Sequence, residues 1–166
     1  MTKEKRDKFD LHFLSLALLT SYNLSKDPAS KAGCAVVTED TEQISLGFNG
    51  FIEDMDESPP KWERPIKYSY VIHAEPNACS LAHFNTKGCT AYVSWQPCID
   101  CMKILLTHGI TRLVYYGYHP RYENGAWNRT DQDLWLEFAQ MFKEITVVPK
   151  NELLEGIRNL FPKLEE

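Results

Sequence analysis

The sequence predicts an α/β fold with a mixed sheet, and three observations carry that prediction. Residues 31–38 and 43–48 are short apolar runs separated by a polar turn, which predicts an antiparallel hairpin. Residues 89–95 and 112–116 are strand-like and flank a helical segment, which predicts a parallel pair with a right-handed crossover. The apolar segment 9–22 is too long for a typical strand and predicts a well-buried helix.

The remaining elements follow from breakers and capping signals. Pro28 disfavours a helical residue before it, so the first helix ends upstream. Pro76 is tolerated only in the first turn of a helix, which fixes where the next helix begins. Residues 51–69 show no regular period, and so long a connection is usually functional or mobile. The other predicted elements are helices over residues 73–84, 97–108, 131–142 and 151–160 and a fifth strand over residues 145–148.

Size and composition indicate one soluble domain spanning residues 1–166. The hydrophobic fraction is 43% and the charged fraction is 25%, both ordinary for a globular protein. No apolar run is long enough to span a bilayer, and the mixed-charge N-terminus lacks the apolar core of a signal peptide. A cytoplasmic location is therefore expected. Five cysteines, an odd number, argue against a disulfide framework.

The net charge separates two classes of partner. The formal charge is −5, whereas proteins that bind long nucleic acids usually present a basic stripe to the phosphates. The composition thus favours a small-molecule nucleotide over a polynucleotide.

Four residues in two short motifs predict a catalytic metal site. His73 and Glu75 form a His-Ala-Glu sequence, and Cys98 and Cys101 form a Cys-x-x-Cys sequence after Pro97. Either motif alone is weak, because Cys-x-x-Cys is also found as a redox pair or as two buried thiols. Together they offer three zinc ligands, His73, Cys98 and Cys101, and leave a fourth position for water. Glu75 is not needed as a ligand and is positioned to accept a proton from that water.

This H-x-E…P-C-x-x-C order is the known signature of zinc nucleobase deaminases. In that chemistry an activated water attacks C4 of a cytosine or C6 of an adenine. Glu75 would carry the proton to the ring nitrogen and then to the departing ammonia.

The chain resembles the deoxycytidylate (dCMP) deaminase family of the cytidine/deoxycytidylate deaminase superfamily, over roughly residues 9–118. Four blocks carry the resemblance: residues 25–37, 45–51, 67–78 and 97–101. The resemblance implies hydrolysis of dCMP to dUMP and ammonia with one Zn²⁺, feeding thymidylate synthesis. It also implies a three-layer α/β/α cytidine-deaminase-like fold, with a five-stranded mixed sheet and helices on both faces, and a homo-oligomer, often a hexamer.

The same resemblance suggests which residues contact the substrate. Asn49 matches a sugar-binding asparagine, although Asn-Gly is also a simple turn signal, and Ala74 would offer its backbone amide to the base carbonyl. Trp95 is placed either as a wall against the cytosine ring or in the core.

Lys26 and Asp27 match a family loop near the nucleotide, for which a helix-terminal turn is the competing interpretation. Tyr118 and Arg121 follow the fourth strand, at the edge where ligands bind in such sheets. Tyr118 is expected to line the pocket, and Arg121 or Lys26 to meet the phosphate.

One departure from the family pattern affects regulation. The family often has Pro-Arg-Gly after its Gly-aromatic-Asn-Gly-Phe loop, whereas this chain has Ile52-Glu53-Asp54. The change removes a base and adds two acids, which leaves control by dCTP or dTTP, and any Mg²⁺ accompanying such an effector, open.

Three other functions remain compatible with the sequence. The first is a deaminase acting on tRNA adenosine or single-stranded DNA cytosine, against which the net charge speaks. The second is a deaminase of another cytosine nucleotide, a nucleoside or a modified dCMP. The third is a zinc-stabilised binding module without activity, against which Glu75 argues.

Overall fold

Helices and strands alternate along the chain in a computed structural model that describes residues 2–117 and 129–160. The elements are α1 (Lys3–Leu24), β1 (Gly33–Val37), β2 (Ile44–Phe48), α2 (Ala74–Leu81), β3 (Thr90–Val93), α3 (Ile99–Thr107), β4 (Arg112–Tyr116), α4 (Arg129–Ala139), β5 (Glu144–Val148) and α5 (Lys150–Leu160). Two short 3₁₀ turns, Pro59–Trp62 and Ile66–Ser69, lie in the long connection before α2.

The five strands form one mixed sheet in the order β2-β1-β3-β4-β5. β1 pairs antiparallel with β2, with Gly33 opposite Phe48, and antiparallel with β3 on its other side. β3, β4 and β5 run parallel, with Thr90 opposite Arg112. The predicted hairpin, the parallel pair and the mixed five-stranded sheet are thereby confirmed.

Helices cover both faces of the sheet, as the alternation of β1 side chains shows. Cys34 and Val36 belong to one core, in which α2, α3 and α4 pack on the sheet. Ala35 and Val37 belong to the opposite core, which α1 and α5 cover. The molecule therefore has three layers, and α2 and α3 share the face on which the metal motifs lie.

The first helix is longer and less buried than the sequence predicts. α1 begins at Lys3, where the Thr2 hydroxyl accepts a hydrogen bond from the backbone N–H of Lys5 at 3.4 Å. Only one side of α1 packs on the sheet, because Leu19 and Tyr22 are 50% and 73% exposed. In the described part of the chain, no helix combines the length and apolar character needed to cross a membrane.

Gly47 sets the distance between β2 and α2. A Cβ built at this position would overlap the backbone nitrogen of Ala78 and the backbone oxygen of Ala74, neither of which can rotate away. We expect Gly47→Ala to lower the free energy of unfolding by about 1–3 kcal/mol, as overpacking does. Because α2 must move, activity should fall as well.

Denaturant unfolding and zinc content would check this prediction. Gly50→Ala is the matched control, since a Cβ there has its nearest contact at 3.6 Å from the Phe48 ring. Equal stability of the two variants would contradict the proposed spacing role.

Candidate metal centre and substrate cavity

The two metal motifs sit at the N-termini of neighbouring helices. His73 is the N-cap of α2 and Cys98 is the N-cap of α3, both in extended backbone conformation. Cys101 lies one turn further along, within α3. Because helix N-termini carry partial positive charge, this placement favours thiolate ligands.

The three donor atoms converge closely enough to hold one ion. His73 Nδ1 lies 3.3 Å from Cys101 Sγ and 3.5 Å from Cys98 Sγ, and all three atoms lie within 4.8 Å of one another. Donors at zinc bond lengths in a tetrahedral site are separated by about 3.5–3.8 Å. One imidazole and two thiols at this spacing fit zinc with three protein ligands, as the sequence predicts.

Hydrogen bonds within the cluster stabilise the thiolate at Cys98. The hydrogen bond from Cys101 and the contact with His73 lower the pKa of Cys98 to about 4, although burial opposes them. The same hydrogen bond, together with burial, raises the pKa of Cys101. The contact with Cys98 raises the pKa of His73 to about 9. At neutral pH these shifts describe a Cys98 thiolate paired with a protonated His73, and a zinc ion that binds here would displace the protons of His73 and Cys101.

Glu75 lies beside the donors but is not one of them. Its side chain is in the first turn of α2, is 5% exposed and borders the same cavity as His73 and Cys98. Burial raises the pKa of this carboxyl, and the neighbouring Cys98 charge raises it further.

A cavity of about 400 Å³ opens at this edge of the sheet. Its lining brings together residues from four parts of the chain: residues 27 and 29–32, then residue 49, then residues 64, 67, 68, 71, 73 and 75, and finally residues 93, 95, 96 and 98. Of the substrate residues predicted from sequence, Asp27, Asn49 and Trp95 border this cavity. Ala74 is fully buried at the first position of α2.

Two groups of predicted residues lie elsewhere. Lys26 is not in the cavity lining; its side chain is 70% exposed, and its Nζ lies 3.0 Å from Glu57 Oε1. Tyr118 and Arg121 lie outside the described residues. The role of each in substrate binding stays a prediction.

Asn49 organises the loop that follows α1. Its Oδ1 accepts hydrogen bonds from the Ser25 hydroxyl at 2.8 Å and from the Ala32 backbone N–H at 2.7 Å. Its Nδ2 donates to Asp27 Oδ2 at 3.3 Å and to the Ser30 carbonyl at 2.7 Å. These four bonds use both donors and both acceptor positions of the amide. The Asn49 side chain thus holds residues 25–32, which form part of the cavity wall, in place.

Lys67 is a site residue that the sequence did not reveal. Its Nζ lies 2.7 Å and 3.1 Å from the two carboxylate oxygens of Asp27, and the side chains are 5% and 1% exposed. A lysine in an irregular, charged segment is normally solvated, and its partner is 40 residues away. No local sequence pattern pairs Lys67 with Asp27, although Asp27 itself is among the residues predicted from sequence to contact the substrate.

The surroundings of Trp95 favour a position in the cavity wall over a position in the core. Its ring borders the cavity, and its indole N–H donates to the Lys31 carbonyl at 3.0 Å. The ring of Tyr116 lies behind it with a centroid distance of 5.9 Å. The indole is therefore held in one orientation at the cavity edge.

Comparisons with known proteins agree with this geometry. Residues 7–117 match the model of the cytidine and deoxycytidylate deaminase zinc-binding region. Mouse (Mus musculus) deoxycytidylate deaminase is 31% identical over 135 residues, which cover 74% of this chain and 75% of the mouse protein. An uncharacterised deaminase in the luxG 3' region of Aliivibrio fischeri is 32% identical over 142 residues, covering 86% and 95%.

A solved structure shares the fold. The dCMP deaminase of cyanophage S-TIM5, crystallised with dCMP and dUMP, superposes with a TM-score of 0.61 at 21% identity and covers 90% of this chain and 98% of its own. The match to the family model spans both metal motifs and includes more than half of the residues. The chain therefore belongs to the cytidine and deoxycytidylate deaminase family.

Proposed function

We propose that this protein is a zinc-dependent hydrolase that converts dCMP to dUMP and ammonia. The observation that carries the proposal is the convergence of a His-Cys-Cys donor cluster and a buried glutamate on one cavity. The deoxycytidylate deaminases of mouse and human, each 31% identical over three quarters of their length, support dCMP as the substrate.

The residues divide the chemistry between them. His73, Cys98 and Cys101 would hold the zinc ion, which when bound would lower the pKa of a water molecule and so supply the nucleophile. Glu75 accepts a proton as water adds to C4 of the cytosine. It passes that proton to the ring nitrogen, then takes the proton of the hydroxyl now on C4 and gives it to the amino group, so that the C4–N bond breaks and ammonia leaves as the C4 carbonyl forms.

Two further residues orient the base in this proposal. Ala74 offers its backbone N–H to the base carbonyl, because N–H groups in the first turn of a helix have no partner within the helix. The ring of Trp95 packs against the cytosine and keeps water from that side of it.

An ultraviolet assay of the zinc-loaded protein across a substrate panel tests the proposal. Among dCMP, CMP, dCTP, deoxycytidine and 5-methyl-dCMP, we expect the highest kcat/KM for dCMP, at least about tenfold above deoxycytidine, since a phosphate contact adds charge-assisted hydrogen bonds. Equal rates for the nucleoside would favour a nucleoside deaminase. No turnover of any cytosine compound would favour the zinc-stabilised binding module.

The quaternary and regulatory expectations remain proposals of the same kind. The family resemblance supports a homo-oligomer, with a hexamer as the specific form, whereas the expectation of a single domain in the cytoplasm rests on length, composition and the N-terminal sequence. Ile52, Glu53 and Asp54 are all exposed, so this stretch offers an effector phosphate two acids and no base. Control by a nucleoside triphosphate with Mg²⁺ is the part of the analogy that this segment supports least.

A further inference from the structure

Among the residues that the structure describes, three lysine and arginine side chains border the cavity, and two of them are already engaged. They are Lys31, Arg64 and Lys67. Lys67 is paired with Asp27 in the buried contact described above. Lys31 Nζ donates to the carbonyls of Tyr22 and Ser25 at 3.0 Å and 2.7 Å and lies over the Tyr22 ring. Both ammonium groups thus already donate to oxygens of the protein.

Arg64 differs from both lysines. Its Nη2 donates to the Ser30 hydroxyl at 3.0 Å, and its Cζ lies 6.0 Å from the centre of the Tyr68 ring. Within residues 2–117 and 129–160 no carboxylate forms an ion pair with it. The guanidinium is exposed, so most of its five N–H donors face the cavity mouth or solvent.

We propose that Arg64 binds the 5′-phosphate of the nucleotide and thereby contributes to the selection of nucleotides over nucleosides. The inference rests on the proposed function, since it concerns the phosphate of dCMP. A guanidinium offers two parallel N–H groups that match two phosphate oxygens, and it is always charged. Ser30 and the Tyr68 ring hold it at the cavity edge, which limits the entropy lost on binding.

Neighbouring charges suit an anion at this position. Asp27, which borders the cavity next to Ser30, is neutralised by Lys67. Glu57, in the same connection as Arg64, is engaged by Lys26. A phosphate approaching Arg64 therefore meets a cation without a competing free carboxylate from either acid.

Binding and kinetics of Arg64→Gln and Arg64→Lys test the assignment. For Arg64→Gln we expect dUMP affinity, measured by calorimetry, to fall about 10- to 100-fold, with deoxyuridine affinity changed less than twofold. The kcat/KM for dCMP should fall by a similar factor, and that for deoxycytidine should not. Arg64→Lys, which keeps the charge and loses the fork, should be intermediate. Lys8→Gln removes an equal charge from an exposed position on α1 and should change the affinity for neither dUMP nor deoxyuridine.

The outcomes separate this inference from the proposed function. If the unmodified protein does not deaminate dCMP, the proposed function is wrong, but the dUMP-binding measurements on the Arg64 variants still test the phosphate assignment. Equal weakening of dUMP and deoxyuridine, or of neither, in Arg64→Gln would overturn the phosphate assignment. A selective loss in Lys26→Gln with none in Arg64→Gln would give the role to Lys26 instead. An unmodified protein that binds dUMP no better than deoxyuridine would also overturn it.

Discussion

Glu75→Gln should abolish most of the activity while leaving zinc bound. The variant keeps the size of the side chain and loses its ability to take and return a proton. Proton transfer by a positioned group contributes about 10²–10⁴-fold to a rate, so kcat for dCMP should fall by that factor. Because Glu75 is not among the three donor residues, one zinc per chain should remain by atomic absorption.

A surface substitution of the same chemistry provides the control. Glu42→Gln changes an exposed glutamate in the β1–β2 turn and should leave both kcat and zinc content unaltered. Activity above about one tenth of the unmodified level in Glu75→Gln, with zinc present, would contradict the assigned proton-transfer role. Loss of zinc from that variant would instead indicate that the carboxylate helps to hold the ion.

Lys67→Met should have the largest effect on stability. The substitution leaves the Asp27 carboxylate, 1% exposed, without its cation. Removing one partner of a buried ion pair costs about 3–5 kcal/mol, so urea unfolding at neutral pH should show a loss of that size. Asp27 keeps hydrogen bonds from the N–H groups of Ala29 and Ser30, which places the expected loss near the lower end.

A double variant and a surface variant sharpen this prediction. Asp27→Asn combined with Lys67→Met removes both charges and should recover part of the loss, because no isolated ion remains. Lys8→Met breaks an exposed pair with Glu4 and should change stability little. A loss of unfolding free energy below about 1 kcal/mol in Lys67→Met would mean that water replaces the lysine. The ion pair would then not be the contact that holds the loop.

The same ion pair has a definite pH dependence. Burial raises the pKa of Asp27, but hydrogen bonds from Lys67, Ala29 and Ser30 outweigh it and lower the pKa from its ordinary 3.8. A lowered folded-state pKa contributes stability that is present above 3.8 and is lost as the pH falls through the folded value. At pH values below the folded-state pKa of Asp27, the free energy of unfolding of the unmodified protein should therefore approach that of Asp27→Asn.

The sequence predicted the metal centre well because its information is local. His73 and Cys98 each precede a helix that follows a strand or a bridge, and topology alone brings those helix N-termini to one edge of the sheet. Glu75 lies two residues after His73, in the first turn of the helix that His73 caps. Cys98 and Cys101 are three residues apart, so their position at the start of one helix is predicted without any long-range contact.

The sequence was less informative where a residue acts on a distant segment. Asn49 was predicted to contact the substrate sugar; it borders the cavity and that role stays a prediction, but the sequence did not indicate the four hydrogen bonds from its amide to residues 25–32. Helix α2 was expected to reach residue 84 and ends at Leu81, where the Ala82 N–H bonds the Cys79 carbonyl. Both outcomes depend on packing partners that periodicity does not encode.

The pair between Asp27 and Lys67 also closes a loop of the chain. It joins positions 40 residues apart and lies close to the end of the irregular connection before α2. Once both ends of a flexible segment are held, doubling its length costs only about 0.6 kcal/mol of closure entropy. Insertions between the two 3₁₀ turns and β2 can therefore vary in length at small thermodynamic cost, so long as this one contact is kept.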